Sequence, residues 1–353
     1  MPNHTVTVGI DVGDRYSYLC RLDTGTGEVI EESRITTSPT AFERCFSGGE
    51  PMRVAIEAGT HSPWMSGVLE ACGHEVLVAN ARKLKLIYGE GRKNDRLDAE
   101  NLARIARLDP RLLSPLRHRG EASRAHLALI RSRDVLVEAR TKLVNHVRGA
   151  VKPFGVRMPK CSVEAFPAKA RERVPEALAP ALDPILETEA SLTTRIRQYD
   201  RDLEALSREL YPETLFLRQV QGVGLLTALA FVLVLEDPAR FETSRAVGAY
   251  AGLTPGQDQS GERDPQQRIS GRGDEMLRKL LVQSAHYVLG PFAQDSDLRR
   301  HGEKIAGRGG KNAKKRAVVA VARKLSVLLH RLWMSGEVYE PLYNARRAEA
   351  APT

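Results

Sequence analysis

Four acidic residues in the first hundred positions have the type and setting for metal chemistry. Asp11 interrupts TVTVGIDV (5–12), an alternating, β-branched run that reads as a strand. Glu57 closes a second such run, MRVAIE (52–57). A carboxylate inside an apolar strand is costly unless it has a partner. Asp95 and Asp98 open DRLDAENLARIARL (95–108), an amphipathic helical pattern, and their i, i+3 spacing gives them one face. Carboxylate oxygens suit Mg2+. Two such ions about 3.5–4 Å apart perform phosphodiester chemistry: one activates the nucleophile and the other stabilises the leaving oxygen. A plainer reading also stands for Asp95 and Asp98, as an N-cap and a first-turn acid favoured by the helix dipole.

A second constellation lies downstream. Residues 254–273 (TPGQDQSGERDPQQRISGRG) read as an extended polar loop. Ser260 sits there beside Gly261, with Arg263, Arg268 and Arg272 near enough in sequence to hold a scissile phosphate. Taken alone, a loop serine next to glycine is a turn residue. Between Arg299 and Arg331 stand eleven Lys and Arg, including Lys311, Lys314, Lys315 and Arg316, against the single acid Glu303. That segment carries +10 (11 minus 1), more than the +9 of the whole chain. Such concentration favours phosphate binding over a merely solvated face.

The elements that must position these groups alternate in type. Residues 5–12, 16–23 and 28–35 predict a meander of three antiparallel strands. A short helix at 39–46, a strand at 52–57, a helix at 63–72, a strand at 74–79 and a helix at 81–88 complete an α/β unit. A polar loop at 89–94 leads into the helix at 95–108. Acids on the first strand, the fourth strand and a later helix match the order of the ribonuclease-H-like fold. The actin and sugar-kinase superfamily also opens on Asp-x-Gly, but it needs a further Gly-rich phosphate loop that this sequence lacks. Beyond, Ile130, Val137, Val144 and Val151 recur every seven residues. Leu192, Ile196, Tyr199, Leu203, Leu206 and Leu210 alternate steps of four and three. Both are coiled-coil seams, able to pair within or between chains, with a Pro-rich linker or elbow between them. Gly-Val-Gly ahead of the apolar run at 225–235 reads equally as a helix–hairpin–helix turn offering amides to phosphate or as a simple helix start. Helices at 274–290 and 313–334 close the chain.

The bulk numbers fit a multi-domain globular protein. An apolar fraction of 42% in 353 residues supports two or three packed domains. No apolar run reaches the roughly 18 residues of a membrane span, and the N-terminus lacks signal-peptide grammar. A soluble, cytoplasmic protein with no membrane partner is expected. Cys20, Cys45, Cys72 and Cys161 lack zinc or CxxC spacing and read as reduced core residues. The basic balance makes a polyanion a plausible partner.

GIDVGDRYSYLCRLD, AIEAGTHSPW and KNDRLDAENLARIA resemble the DEDD transposases of bacterial insertion sequences. QGVGLLTALAFVLVLEDPARFETSRAVGAYAGLTP, QSG and RISGRGDEMLRKLLVQSA extend the resemblance over nearly the whole chain. It implies an α/β plus α architecture: a RuvC-like ribonuclease-H-fold domain over 1–115, a coiled-coil arm and linker over 116–215, and a C-terminal transposase domain over 216–345. It implies a Mg2+-dependent recombinase guided by a structured bridge RNA that pairs with donor and target DNA. A homo-oligomer is expected, a dimer that becomes a tetramer in the synaptic complex. The family's four acids fall on Asp11, Glu57, Asp95 and Asp98, and its catalytic serine on Ser260. The resemblance implies that acids and serine meet over one DNA strand, within or between protomers, through a covalent phosphoserine intermediate. The sequence departs from the family at Gln259, where a second serine is frequent, at Glu262-Arg263, where Gly-Lys is common, and at Gly271, where lysine is common. Two other readings stand beside this one: a hydrolytic junction nuclease using the same acids with water, and a non-enzymatic nucleic-acid-binding protein.

Overall fold

The computed structural model describes residues 4–81, 94–256, 267–344 and 346. The chain divides into two compact units, Met1–Arg119 and Gly120–Thr353.

The first unit is built on β1 (Val6–Val12), β2 (Tyr16–Asp23), β3 (Val29–Thr36), β4 (Arg53–Glu57) and β5 (Glu75–Ala79), in the order β3-β2-β1-β4-β5. β1, β2 and β3 pair antiparallel, whereas β1, β4 and β5 pair parallel. Parallel neighbours need crossovers, and α1 (Pro39–Phe46) and α2 (Ser62–Ala71) supply them. Their apolar faces bury Phe42, Phe46, Met65 and Leu69 against Val8, Ile10, Val54 and Ile56. Strand alternation sends the intervening residues to the opposite face. There α3 (Asp95–Leu108) packs Leu102, Ile105 and Ala106 on Ala55, Leu77 and Ala79, and Ala99 and Ala103 on Cys20 and Leu22. The expected helix at 81–88 and loop at 89–94 fall almost wholly outside the described residues.

Gly9 governs how closely α3 approaches. A Cβ there would lie 2.1 Å from the Ala99 carbonyl oxygen and 2.4 Å from the Ala103 nitrogen. The helix backbone therefore rests directly on β1. The C-terminal end of α3 is anchored over the β2–β3 turn, where Arg107 donates to the Thr24 and Gly25 carbonyls at 2.8 Å each. Its N-terminal turn consequently lies toward the ends of β1 and β4. Asn94, rather than Asp95, caps that turn by accepting from the Arg96 amide.

In the second unit α4 (Glu121–Ala150) and α6 (Ala179–Leu210) fold back on one another within the chain. Leu127 and Ile130 meet Leu203 at the base, and Val144 and Val147 meet Leu182 and Leu186 at the tip. The seam on α6 differs from the expected one. Its buried stripe is Leu182, Leu186, Glu189, Thr193, Ile196, Leu203 and Ser207, while Leu210 is 59% exposed. Polar residues occupy seam positions, and the leucines beside them misled the pattern. The Pro-rich segment between the helices is no loose linker. Its helix α5 (Phe166–Arg171) drives Phe166 and Ala170 into the tip cluster. Mid-seam, Glu189 Oε1 accepts from Thr193 at 3.3 Å and Oε2 has no hydrogen-bond partner, so burial pushes this carboxyl above its ordinary range.

The remaining helices are α7 (Thr214–Leu217), α8 (Leu225–Leu235), α9 (Ser244–Tyr250), α10 (Glu275–Val288), α11 (Asp297–Ala306) and α12 (Ala313–Ser335). α8 is apolar on every side and forms the centre of their core. Gly222 precedes it at φ +92°, a conformation that favours glycine, and a Cβ there would sit 3.0 Å from the Ser284 carbonyl on α10. Among the described residues no helix is long and apolar enough to cross a membrane.

Two outcomes follow. Gly9→Val should lift α3 from the sheet and destabilise the first unit by about 3 kcal/mol or more, read by denaturant unfolding. A stability within 1 kcal/mol of wild type, on the order of measurement error plus relaxation, would contradict the close approach. For Glu189, a folded pKa above the unfolded one means stability is lost as pH rises out of the ordinary carboxylate range. Glu189→Gln should therefore stabilise the arm at neutral pH by roughly 1 kcal/mol and flatten that fall. Parallel pH profiles for the two proteins would rule this out.

Candidate active site and basic groove

Asp11 and Glu57 lie at the C-terminal ends of two central, neighbouring strands of the sheet. Ile10 pairs with Ile56 across the parallel β1–β4 ladder, so Asp11 and Glu57 follow at the same level on neighbouring strands. Gly9 and Ala55 both face α3. Alternation puts Asp11 and Glu57 on that face too, each half-buried. Asp98 is half-buried in the first turn of α3, directly before the buried Ala99, and Asp95 is exposed at its start. Asp11, Glu57 and Asp98 thus share a face and an end, with Asp95 beyond them. Their oxygen donors fit a hard divalent cation. Among the described residues, however, no group of three or more His, Cys, Asp or Glu side chains is drawn together closely enough to hold a metal ion.

The same end carries a contact that sequence reasoning missed. Trp64 Nε1 donates to His61 Nδ1 at 3.1 Å, which leaves the ring proton on Nε2. That nitrogen donates to Asp14 Oδ1 at 3.1 Å. The pair ties the turn after β1 to the loop after β4, the two segments that follow Asp11 and Glu57. The signal was present in AGTHSPW, but a histidine in a loop has no partner in one dimension.

Ser260 and Arg263 lie outside the described residues. The described residues on either side of them pair with one another. Pro255 bridges Ile269, the Gly256 amide donates to the Arg268 carbonyl at 2.8 Å, and Ser270 to Thr254 at 2.8 Å. Two glycines lock this stem to the helices. A Cβ on Gly252 (φ +71°) would lie 1.8 Å from the Arg272 carbonyl oxygen, and one on Gly273 (φ +93°) 2.0 Å from that of Tyr250. Gly271 has φ +61°, where glycine is unstrained.

Beside the stem runs a groove of about 1510 Å³, walled by α9, α11, α12 and the segment 339–344. Eight Arg and Lys line it, against the acids Asp297 and Glu340. Arg268, Lys315 and Arg316 are among them, whereas Arg272, Lys311 and Lys314 are not. Arg245, Arg308, Arg323, Lys324 and Arg331 complete the set. Arg299 and Arg300 are used locally instead, donating to Glu303 at 2.8 Å and to Asp295 at 2.6 Å. His301 lines the groove with its pKa held down by burial and by Lys324, Arg308 and Lys304. α11, unforeseen from the sequence, is what converts a basic stretch into a concave surface.

Comparison with known proteins places both units. The DEDD model of IS110 transposases matches residues 8–154, and the model described as "Transposase IS116/IS110/IS902 family" matches residues 215–301. The chain is 30% identical over 292 residues to the transposase for insertion sequence element IS1111A of Coxiella burnetii, covering 77% of this chain and 78% of that one. It is 29% identical over 350 residues to the transposase for insertion sequence element IS1328 of Yersinia enterocolitica, covering 96% and 99%. A putative transposase of Sinorhizobium fredii, y4pF/y4sB, is 30% identical over 299 residues, covering 83% and 76%. Both matched segments and the relatives agree: the chain belongs to the IS116/IS110/IS902 family of insertion-sequence transposases.

Proposed function

We propose that this transposase is an RNA-guided DNA recombinase that cuts and rejoins strands through a covalent phosphoserine. Membership of the DEDD family implies dependence on a divalent metal, and we assign Mg2+ to it. The observation that supports the reading most is the shared face and end of Asp11, Glu57 and Asp98, in the strand order expected of a ribonuclease-H-like domain. These three, with Asp95, would hold the metal. When bound, Mg2+ supplies Lewis-acid stabilisation for the phosphoryl oxygens.

Ser260 is the proposed nucleophile. Its Oγ forms a bond to the scissile phosphorus while the bond from phosphorus to one deoxyribose oxygen breaks. The serine proton passes to a general base and then to the departing oxygen. The phosphodiester is thereby exchanged for a phosphoserine ester of similar energy, so rejoining needs no external energy source. Attack by a hydroxyl of the incoming strand reverses the step and frees the serine. Arg263, Arg268 and Arg272 would neutralise the phosphate, and Lys311, Lys314, Lys315 and Arg316 would hold the nucleic acid. A structured guide RNA would choose donor and target DNA by base pairing, and a homodimer assembling into a tetramer would bring four cleavages together.

The test uses the full chain, Mg2+, labelled donor and target DNA, and RNA transcribed from the DNA flanking the gene. Wild type should form joint molecules and a protein–DNA adduct stable in SDS. Asp11→Asn and Asp98→Asn should lower cleavage by more than about 100-fold. Ser260→Ala should abolish adduct and joining together. Normal joining by Ser260→Ala would point to water as the nucleophile and end the covalent proposal. Equal joining without the flanking RNA would end the guided one.

A further inference from the structure

The groove of the second unit is unlike a surface built only to meet a duplex backbone. Its walls are cationic, but its floor is apolar: Ile269 from the loop stem, Ile305 from α11, and Val319, Val327 and Leu328 from α12, all half-buried rather than sealed in the core. Arg245, Arg308, Lys315, Arg323 and Lys324 form no ion pair among the described residues. Of the two lining acids, Asp297 is already engaged by the amide and the side chain of Asn344, at 2.7 and 2.9 Å. At the mouth, the Arg331 guanidinium stacks 5.0 Å from the ring centroid of Tyr343. The cations crowd one another, and His301 between them resists protonation for that reason as well as for its burial.

We propose that this groove binds a single-stranded segment of nucleic acid, with phosphates along Arg245, Lys315, Arg323 and Lys324 and unpaired bases against Ile269, Ile305, Val319 and Leu328. A duplex hides its base faces within the stack and presents phosphates outward, so it gains nothing from an apolar floor. Its base edges are reached by inserting a protruding helix or ribbon, which a concave groove cannot do. Single strands expose apolar base faces and a flexible backbone, and they are held by cationic channels that also offer flat or apolar platforms. The Arg331–Tyr343 stack supplies such a platform. The proposal rests on the chain being a transposase that handles nucleic acid, and it adds which strandedness the second unit takes and where.

Binding by the full-length protein separates the possibilities without requiring activity. Fluorescence anisotropy would compare a short mixed-sequence DNA strand, the RNA strand of the same sequence, and the DNA duplex. Single strands should bind about tenfold or more tightly than duplex. Ile305→Ser and Val319→Ser should lose roughly tenfold for the strands and leave duplex affinity unchanged, which also shows that the variants fold. Lys315→Ala and Arg323→Ala should weaken all three ligands and each reduce the salt slope for single strands by about 0.7. RNA tighter than DNA would identify a guide strand as the occupant, and DNA tighter than RNA a strand of the element or target. Duplex binding as tight as either strand, in wild type alone, would overturn the proposal. So would floor variants that retain the strand preference. Loss of catalysis in the carboxylate variants with this preference intact, or the reverse, keeps the two proposals separately answerable.

Discussion

The first unit depends on one contact, that of the α3 backbone against Gly9. A helix normally keeps some distance from a sheet because side chains stand between them. Here the missing Cβ removes that spacer at the centre of β1. Ala99 and Ala103 continue the same economy of volume on the helix side. The result is that the first turn of α3 stays within the layer that Asp11 and Glu57 face, instead of standing above it. The Arg107 contacts then fix the direction of the helix, so that its acidic end and not its basic end reaches these strand ends. The metal site proposed on Asp11, Glu57 and Asp98 would need rigid supports, since small displacements of ligands weaken metal binding and catalysis sharply. Packing of backbone on backbone is the stiffest support a helix and a strand can share.

Electrostatics divides the labour between the units in a way the net charge conceals. Asp11, Glu57 and Asp98 share one face at the ends of β1 and β4 in the first unit, and eight cations line the groove of the second. Within the basic segment the structure distinguishes two populations. Arg299 and Arg300 satisfy themselves on Glu303, Asp295 and backbone carbonyls, and so act as structural clamps on α11. Lys315, Arg323 and Lys324 of α12, which face the groove, form no ion pair among the described residues, and their mutual repulsion is a standing cost to the folded chain. A polyanion removes that cost and releases counterions of its own.

Much of the first unit was legible in the sequence because its signals are local. Alternation identified β1 to β5, and the 95–108 periodicity identified α3 almost to the residue. The reason for Gly9 was not legible, since it resides in a helix ninety residues away. The arm was legible as a helix pair but not in its detail. Leu192, Tyr199, Leu206 and Leu210 satisfy a heptad rule that Glu189, Thr193 and Ser207 violate, and the latter are the buried ones. The tip was legible only as a linker or elbow, because Phe166 and Ala170 find their apolar partners at the ends of two distant helices. The groove needed α9, the loop stem, α11 and α12 to be brought together; the charge of the 299–331 segment was legible, but the concave surface it lines was not. The His61–Asp14 contact joins two loops and was invisible on the same ground.

The polar seam of the arm is more than an imperfection in a hydrophobic interface. Apolar side chains pack almost equally well if one helix slides by a heptad along the other, because their contacts have no direction. Directed contacts do not survive that slide. Arg133 donates to Asp200 at 2.7 Å and Arg140 to Thr193 at 3.2 Å, both between the two apolar clusters. A slip of seven residues would part both pairs and leave their polar groups unmatched. The register also decides whether Val144 and Val147 meet Leu182 and Leu186 beneath Phe166. Uniform leucine along α6 would strengthen the pairing and loosen its register. An arm that must hold a fixed length from base to tip is better served by the weaker, directed seam.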